Sequence, residues 1–256
     1  MDIFYDLTEW QQIRHQLPSN ASLGFVPTMG NLHAGHASLF MQSLKENDYT
    51  AVSIFVNPTQ FNLPEDFHRY PKTLNADLTL LKELNVHYCF LPNESMMYKD
   101  HYRFQIQETE LSQYMEGKHR PGHFTGVLTV LMKLLHLIKP HKAYFGEKDY
   151  QQFLLIRDMV DAFFMDTEII ACPTIRENSG LAYSSRNSRL NIAQKKKAEW
   201  FARRFHQAAD CNSLKDELIK AGIKVDYVEE HFNRRFAAVY IDDVRLIDNY
   251  SLAQSD

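Results

Sequence analysis

Five short β-prone apolar runs, at residues 22–26, 50–56, 88–91, 142–145 and 167–171, punctuate the first two thirds of the chain. A helical pattern separates each from the next, at residues 36–46, 74–84, 127–138 and 150–164. The run at 50–56 is almost wholly apolar rather than alternating, as expected of a strand covered on both faces. Strands that alternate with helices, and lack a polar face, predict an α/β fold with a parallel sheet flanked by helices. Ligands of such sheets sit beyond the carboxyl ends of the strands. The turns that follow the apolar runs are therefore where chemistry is to be sought.

The first of these turns is the most informative. Pro27-Thr28-Met29-Gly30-Asn31-Leu32-His33-Ala34-Gly35-His36 runs from a strand end into a helix start. A helix start offers unpaired N–H groups and a partial positive charge, which suit phosphate. Gly30 and Gly35 allow close backbone approach, and His33 and His36, three apart, can both donate to phosphate oxygens from one face. Asn57-Pro58-Thr59-Gln60-Phe61 follows the second run, and Gln60 offers a donor and an acceptor together. Gly146-Glu147-Lys148-Asp149 ends another strand with a point charge suited to phosphate. Ser184-Ser185-Arg186-Asn187 sets two hydroxyls and a guanidinium in one turn. Glu116 to Gly126 crowds basic residues and histidines against glycines, an anion-friendly composition.

Taken together these segments resemble the pantothenate synthetases, within the wider group of His-x-Gly-His nucleotidyl transferases and class I aminoacyl-tRNA synthetases. The resemblance rests on Pro27-Thr-Met-Gly-x-Leu-His33-x-Gly-His36, on Asn57-Pro-x-Gln60-Phe61, on Glu116-Gly-x-x-Arg120-Pro-Gly-His123-Phe-x-Gly126, on Phe145-Gly-Glu-Lys148-Asp149-Tyr-Gln-Gln152 and on Ser184-Ser-Arg-Asn187. It covers nearly the whole chain, densely through Arg189 and weakly afterwards, apart from Arg245 to Asn249. It implies a Rossmann-like sheet with a smaller C-terminal α+β lid, divided at 1–174 and 175–256. It also implies an AMP-forming ligase that condenses pantoate with β-alanine through a pantoyl adenylate, with magnesium accompanying ATP and a homodimeric assembly.

Residue by residue, the resemblance assigns catalysis to His33, His36, Lys148, Ser184, Ser185 and Arg186. ATP contacts extend over Pro27, Thr28, Met29, Gly30, Gly35, Gly146, Glu147, Asp149, Cys172, Ile175 and Tyr183. Gln60, Gln152, Asn57 and Arg120 fall to pantoate or β-alanine, and Asp77 to the metal. An ordinary solvated helix carboxylate is the competing reading of Asp77. Three departures stand out: Ala76 where a second acid is common, Thr125 where the pattern has arginine, and Tyr183 where a smaller apolar residue is usual.

Composition narrows the remaining classes. A net charge of −4 argues against a nucleic-acid footprint. Cys89, Cys172 and Cys211 are widely spaced and odd in number, which fits a reducing cytosol rather than a disulfide framework. No signal peptide or membrane-spanning run is expected. Beyond residue 191 a capped helix, a second helix at 213–221 and three alternating runs at 225–229, 236–241 and 244–247 predict a small antiparallel sheet. Two other functions stay open at this point: AMP transfer to a mononucleotide or to phosphopantetheine, and nucleotide sensing without catalysis. The first leaves Gln60, Gln152 and the Phe-Gly-Glu-Lys-Asp run without a role, and intact His36, Lys148 and Ser-Ser-Arg argue against the second.

Overall fold

In a computed structural model that describes residues 1–252, the chain enters through β1 (Asp2–Phe4) and α1 (Leu7–Gln16). It continues through β2 (Leu23–Thr28), α2 (Ala34–Glu46), β3 (Tyr49–Ile54), α3 (Pro64–His68), α4 (Leu74–Glu83) and β4 (Tyr88–Phe90). The short helices α5 (Glu94–Met97) and α6 (Met115–His119) lead to α7 (His123–Ile138), β5 (Lys142–Gly146), α8 (Tyr150–Ala162) and β6 (Glu168–Cys172). The six strands form one sheet in the order β1-β4-β3-β2-β5-β6, parallel throughout. All five expected strands are present, and β1 is an addition at the edge, paired to β4 from Asp2 opposite Tyr88 to Phe4 opposite Phe90. The order reverses between β2 and β5, so the crevice beyond their carboxyl ends is the ligand position such sheets favour.

Both faces of the sheet are covered, which explains the continuous apolar runs. Leu23 and Phe25 of β2 pack with Trp10 of α1 and with Leu128 and Leu135 of α7. Val26, on the opposite face, packs with Phe40 of α2 and Leu81 of α4. Period-two alternation in a strand thus feeds two cores instead of one core and solvent. Each such fully buried Leu or Phe contributes on the order of 1.5–3 kcal/mol relative to exposure.

Beyond β6 come α9 (Ile192–Gln207), α10 (Cys211–Lys220), β7 (Lys224–His231), β8 (Arg234–Ile241) and β9 (Val244–Ser251). These three strands form the expected antiparallel sheet, with a core of its own built on Phe201, Phe205, Leu214, Leu218 and Val239. Asn191 and Gln194 cap α9 reciprocally at 2.9 Å each. At α1 Asp6 is the N-cap and accepts from the Thr8 amide at 2.7 Å. The last four residues of the C-terminal unit expected at 175–256 lie outside the described residues. Among the described residues no helix is long and apolar enough to cross a membrane.

Candidate active site

A cavity of about 240 Å³ opens beyond the carboxyl ends of β2 and β5, where the strand order reverses. Its floor is the Pro27–His36 loop. Thr28 pins the loop by donating to the Ser53 carbonyl at 2.8 Å while accepting from the Gly30 amide at 3.2 Å. Gly30 has φ +77°, a left-handed conformation that disfavours any side chain. Asp77 buttresses the loop from beneath: its carboxylate accepts from the Asn31 amide at 3.0 Å, the Leu32 amide at 2.8 Å and the Thr73 hydroxyl at 3.1 Å.

The two histidines cap α2 themselves. His33 is the N-cap, and its Nδ1 accepts from the Gly35 amide at 3.1 Å. His36 Nδ1 reaches back to accept from the His33 amide at 3.3 Å. A Cβ on residue 35 would lie 3.0 Å from the His33 ring, so a side chain there would press on it. With both Nδ1 lone pairs committed as acceptors, each ring carries its proton on Nε2. Burial, then the Lys148 charge, lowers the His33 pKa to about 4. Burial pushes His36 well below the usual histidine range, helped by His33 and Lys148. The pair, with ring centroids 4.0 Å apart, is therefore a neutral two-donor unit at physiological pH.

Lys148 lies on the cavity wall with its side chain 17% exposed and its ammonium 3.5 Å from Asp149. Gln152, one helical turn later, also lines the cavity. Its neighbour Gln151 is structural: it is buried, donates to the Leu111 and Tyr114 carbonyls, and accepts from the Glu116 amide. Opposite, the Gln60 amide oxygen accepts from Asn57 Nδ2 at 3.1 Å, and its NH₂ faces Met29 Sδ at 2.9 Å. Asn57 is fully engaged, since its Oδ1 also takes the Tyr98 hydroxyl at 2.7 Å. Val127, Val130, Leu131 and Leu134 of α7 supply an apolar wall.

Ser184, Ser185 and Arg186 close the remaining side. Ser185 donates to the Asn31 carbonyl at 3.1 Å, and Asn31 Nδ2 donates back to the Ser185 carbonyl at 2.9 Å. The Arg186 guanidinium is 2.9 Å from Asp66, which Arg189 also contacts at 3.1 Å. This arrangement offers convergent cationic and N–H donors at one end and an amide pair beside an apolar wall at the other. It suits transfer between a polyanion and a small carboxylate.

A family model described as Pantoate-beta-alanine ligase matches residues 2–251. The chain belongs to the pantoate-beta-alanine ligase family. It is 60% identical to the pantothenate synthetase of Legionella pneumophila over 252 residues, 98% of this chain and all of that one. It is 49% identical to the Coxiella burnetii pantothenate synthetase, covering 97% and 96% of the two chains. The fold matches the crystal structure of pantoate-beta-alanine ligase from Francisella tularensis, described as complexed with beta-gamma ATP and beta-alanine. That match has a TM-score of 0.96 at 43% identity and covers 100% and 99% of the chains.

Within this ligase fold most of the residues singled out in the sequence meet at one cavity. Pro27, Thr28, Met29, His33, Gly35, His36, Asn57, Gln60, Gly146, Lys148, Asp149, Gln152, Ile175, Tyr183, Ser184, Ser185 and Arg186 line it. Five do not. Gly30 and Asp77 shape the loop from behind. Glu147 turns toward Arg234 at 3.5 Å. Cys172 packs into the core with Val26 and Tyr144, leaving Pro173 and Thr174 to line the cavity beside Ile175. Arg120 sits behind Gln60, against Glu116 and His123. Asp77, buried and triply hydrogen-bonded, is neither the solvated carboxylate nor a cavity-facing ligand. Among the described residues no group of three or more His, Cys, Asp or Glu side chains could hold a metal ion. Sequence reasoning missed Asn31, Asp66, Tyr70, Thr174 and the apolar face of α7. No local signal marks them, because their roles arise from contacts between distant segments.

Proposed function

We propose that this protein condenses pantoate with β-alanine at the expense of ATP, releasing AMP and pyrophosphate through a pantoyl adenylate. The observation that carries the reading is the pairing, across one cavity, of a neutral histidine pair with Lys148 and of Gln60 with Gln152. In the first step the pantoate carboxylate attacks the α-phosphorus. The nucleophile is already ionised, so positioning and charge stabilisation supply the catalysis. His33 and His36 donate from Nε2 to phosphate oxygens, His36 toward the leaving oxygen. Lys148, Ser184, Ser185 and Arg186 hold the triphosphate, Arg186 by sharing or leaving Asp66.

Gln60 and Gln152 orient pantoate, with its methyl groups against Val127 and Val130. Magnesium would accompany ATP, held chiefly by the substrate phosphates. In the second step the β-alanine amine attacks the acyl carbonyl and AMP leaves. The C-terminal part, from residue 175, serves as a lid that keeps water from the adenylate. A homodimer in a reducing cytosol completes the reading by analogy with the family.

The test is an order-of-addition experiment. Pantoate with MgATP should release one equivalent of pyrophosphate per site without β-alanine. Pyrophosphate release that waits for β-alanine would exclude the adenylate route.

A further inference from the structure

Behind Gln60 lies a buried carboxylate that the chemistry above does not use. Glu116, on α6, is 7% exposed. It accepts two hydrogen bonds from the Arg245 guanidinium, at 2.7 and 2.8 Å, and one from the Tyr227 hydroxyl at 2.9 Å. Arg245 is on β9 and Tyr227 on β7, so both partners come from the C-terminal sheet. Toward the other side Glu116 pairs with Arg120 at 3.4 Å. Arg120 in turn donates to His123 Nε2 at 3.0 Å and to the Gln60 carbonyl at 3.4 Å. The His123 Nδ1–H donates to the same carbonyl at 2.9 Å.

The network is continuous and its members are mutually satisfied, so it is stiff. Its end point is the main chain of a residue whose side chain is already fixed by Asn57. A shift of the Gln60 backbone of about 1 Å is enough to spoil an oriented contact. We propose that Glu116, Arg120 and His123 are positioning residues that transmit the seating of the C-terminal sheet to Gln60, and so set the affinity of the pantoate end of the site. The proposal rests on the assignment of Gln60 to pantoate.

The experiment is a kinetic double-mutant cycle on the full chain with Glu116→Gln, Gln60→Ala and the pair. Residues in one hydrogen-bonded network couple strongly enough that Glu116→Gln should raise the KM for pantoate about tenfold. The KM for ATP should change less than about twofold, a split that general loosening of the fold does not produce. In the Gln60→Ala background the added effect of Glu116→Gln on pantoate should shrink to less than about twofold. Equal changes in both KM values, or full multiplication of the two effects, overturns the proposal. If Gln60→Ala impairs pantoate use and Glu116→Gln does not, the proposal alone fails. If Gln60→Ala leaves the pantoate KM unchanged, the assignment of the site fails and the proposal with it. Should Glu116→Gln not fold, His123→Phe, which keeps the ring and loses the hydrogen bond to Gln60, is read by the same criteria.

Discussion

At the scale of single residues, the site divides its labour between groups that carry charge and groups that orient. Lys148 lines the same cavity as the histidine pair, and its charge helps lower both imidazole pKa values. Lys148→Ala should therefore slow adenylation by about 10²–10³, the loss typical of one transition-state contact. Gln152→Ala should instead raise the KM for pantoate and spare ATP, as measured by initial rates with each substrate varied. The same residues leave the second half-reaction without a base. β-Alanine must attack as the free amine, whose pKa lies near the lysine value of about 10.4. His33 and His36 have committed their Nδ1 lone pairs to backbone amides and present only N–H groups to the cavity. Carboxylates as a class are too weak as bases for an ammonium group. So kcat/KM for β-alanine should climb close to tenfold per pH unit from about 6.5 to 8.5. The pyrophosphate burst should vary little across that range, because pantoate stays ionised and the histidines, already neutral, do not titrate there. A flat β-alanine profile would reveal a base that this geometry does not contain.

At the scale of elements, packing decides where Gln60 stands. Gly126 lies in the first turn of α7, against the turn Pro58–Gln60 that follows β3. A Cβ there would collide with the Thr59 carbonyl and approach the Gln60 Cα to 2.8 Å. Both obstacles are backbone, so neither can rotate away. Gly126→Ala should lower the melting temperature and raise the pantoate KM together, unlike Gln152→Ala, which should leave the melt unchanged. Urea or thermal denaturation beside initial rates checks this, and an unchanged pantoate KM would show that the turn relaxes freely. This contact marks where sequence reading stops. The strands of the parallel sheet are legible because each is covered on both faces and reads as an unbroken apolar run. β1 is not, because a three-residue edge strand carries too little pattern, and α3, α5 and α6 lie in stretches too short for a helical period. The loop motifs reveal which residues reach the cavity, since residue type and strand ends coincide there. What stands behind them depends on partners far apart in sequence. Asn31 meets Ser185 and Glu116 meets Arg245 only after folding, and Asp77 changes from candidate ligand to loop support for the same reason.

At the scale of the whole molecule, the two sheets are joined by buried charge, and that joint should be sensitive to acid. Arg245 grips Glu116 at 2.8 and 2.7 Å, and Asn249 holds the Glu147 and Lys148 carbonyls at 2.9 and 2.8 Å. Burial pushes the Glu116 carboxyl up, but the Arg245 hydrogen bonds and the charges of Arg245 and Arg120 outweigh it and hold the pKa at about 2. Burial, then the Arg120 charge, lowers His123 to about 3. The signs agree. Below pH 6.5 the unfolded chain protonates His123 while the folded chain keeps it neutral until about pH 3, so stability falls as pH drops through that window. The folded Glu116 stays ionised down to about pH 2, so below the ordinary value of 4.5 the unfolded chain takes up that proton first and the loss steepens. Each group can contribute up to about 1.4 kcal/mol per pH unit. His33, lowered to about 4, and His36 add to the first phase. Urea midpoints measured from pH 7.5 to 4 should therefore decline from about pH 6.5 downward, faster below 4.5, and His123→Phe should remove part of the upper slope while lowering the plateau. A constant midpoint between pH 7 and 5 would mean that these imidazoles are hydrated and ordinary, and the neutral donor pair proposed for the phosphates would lose its physical basis.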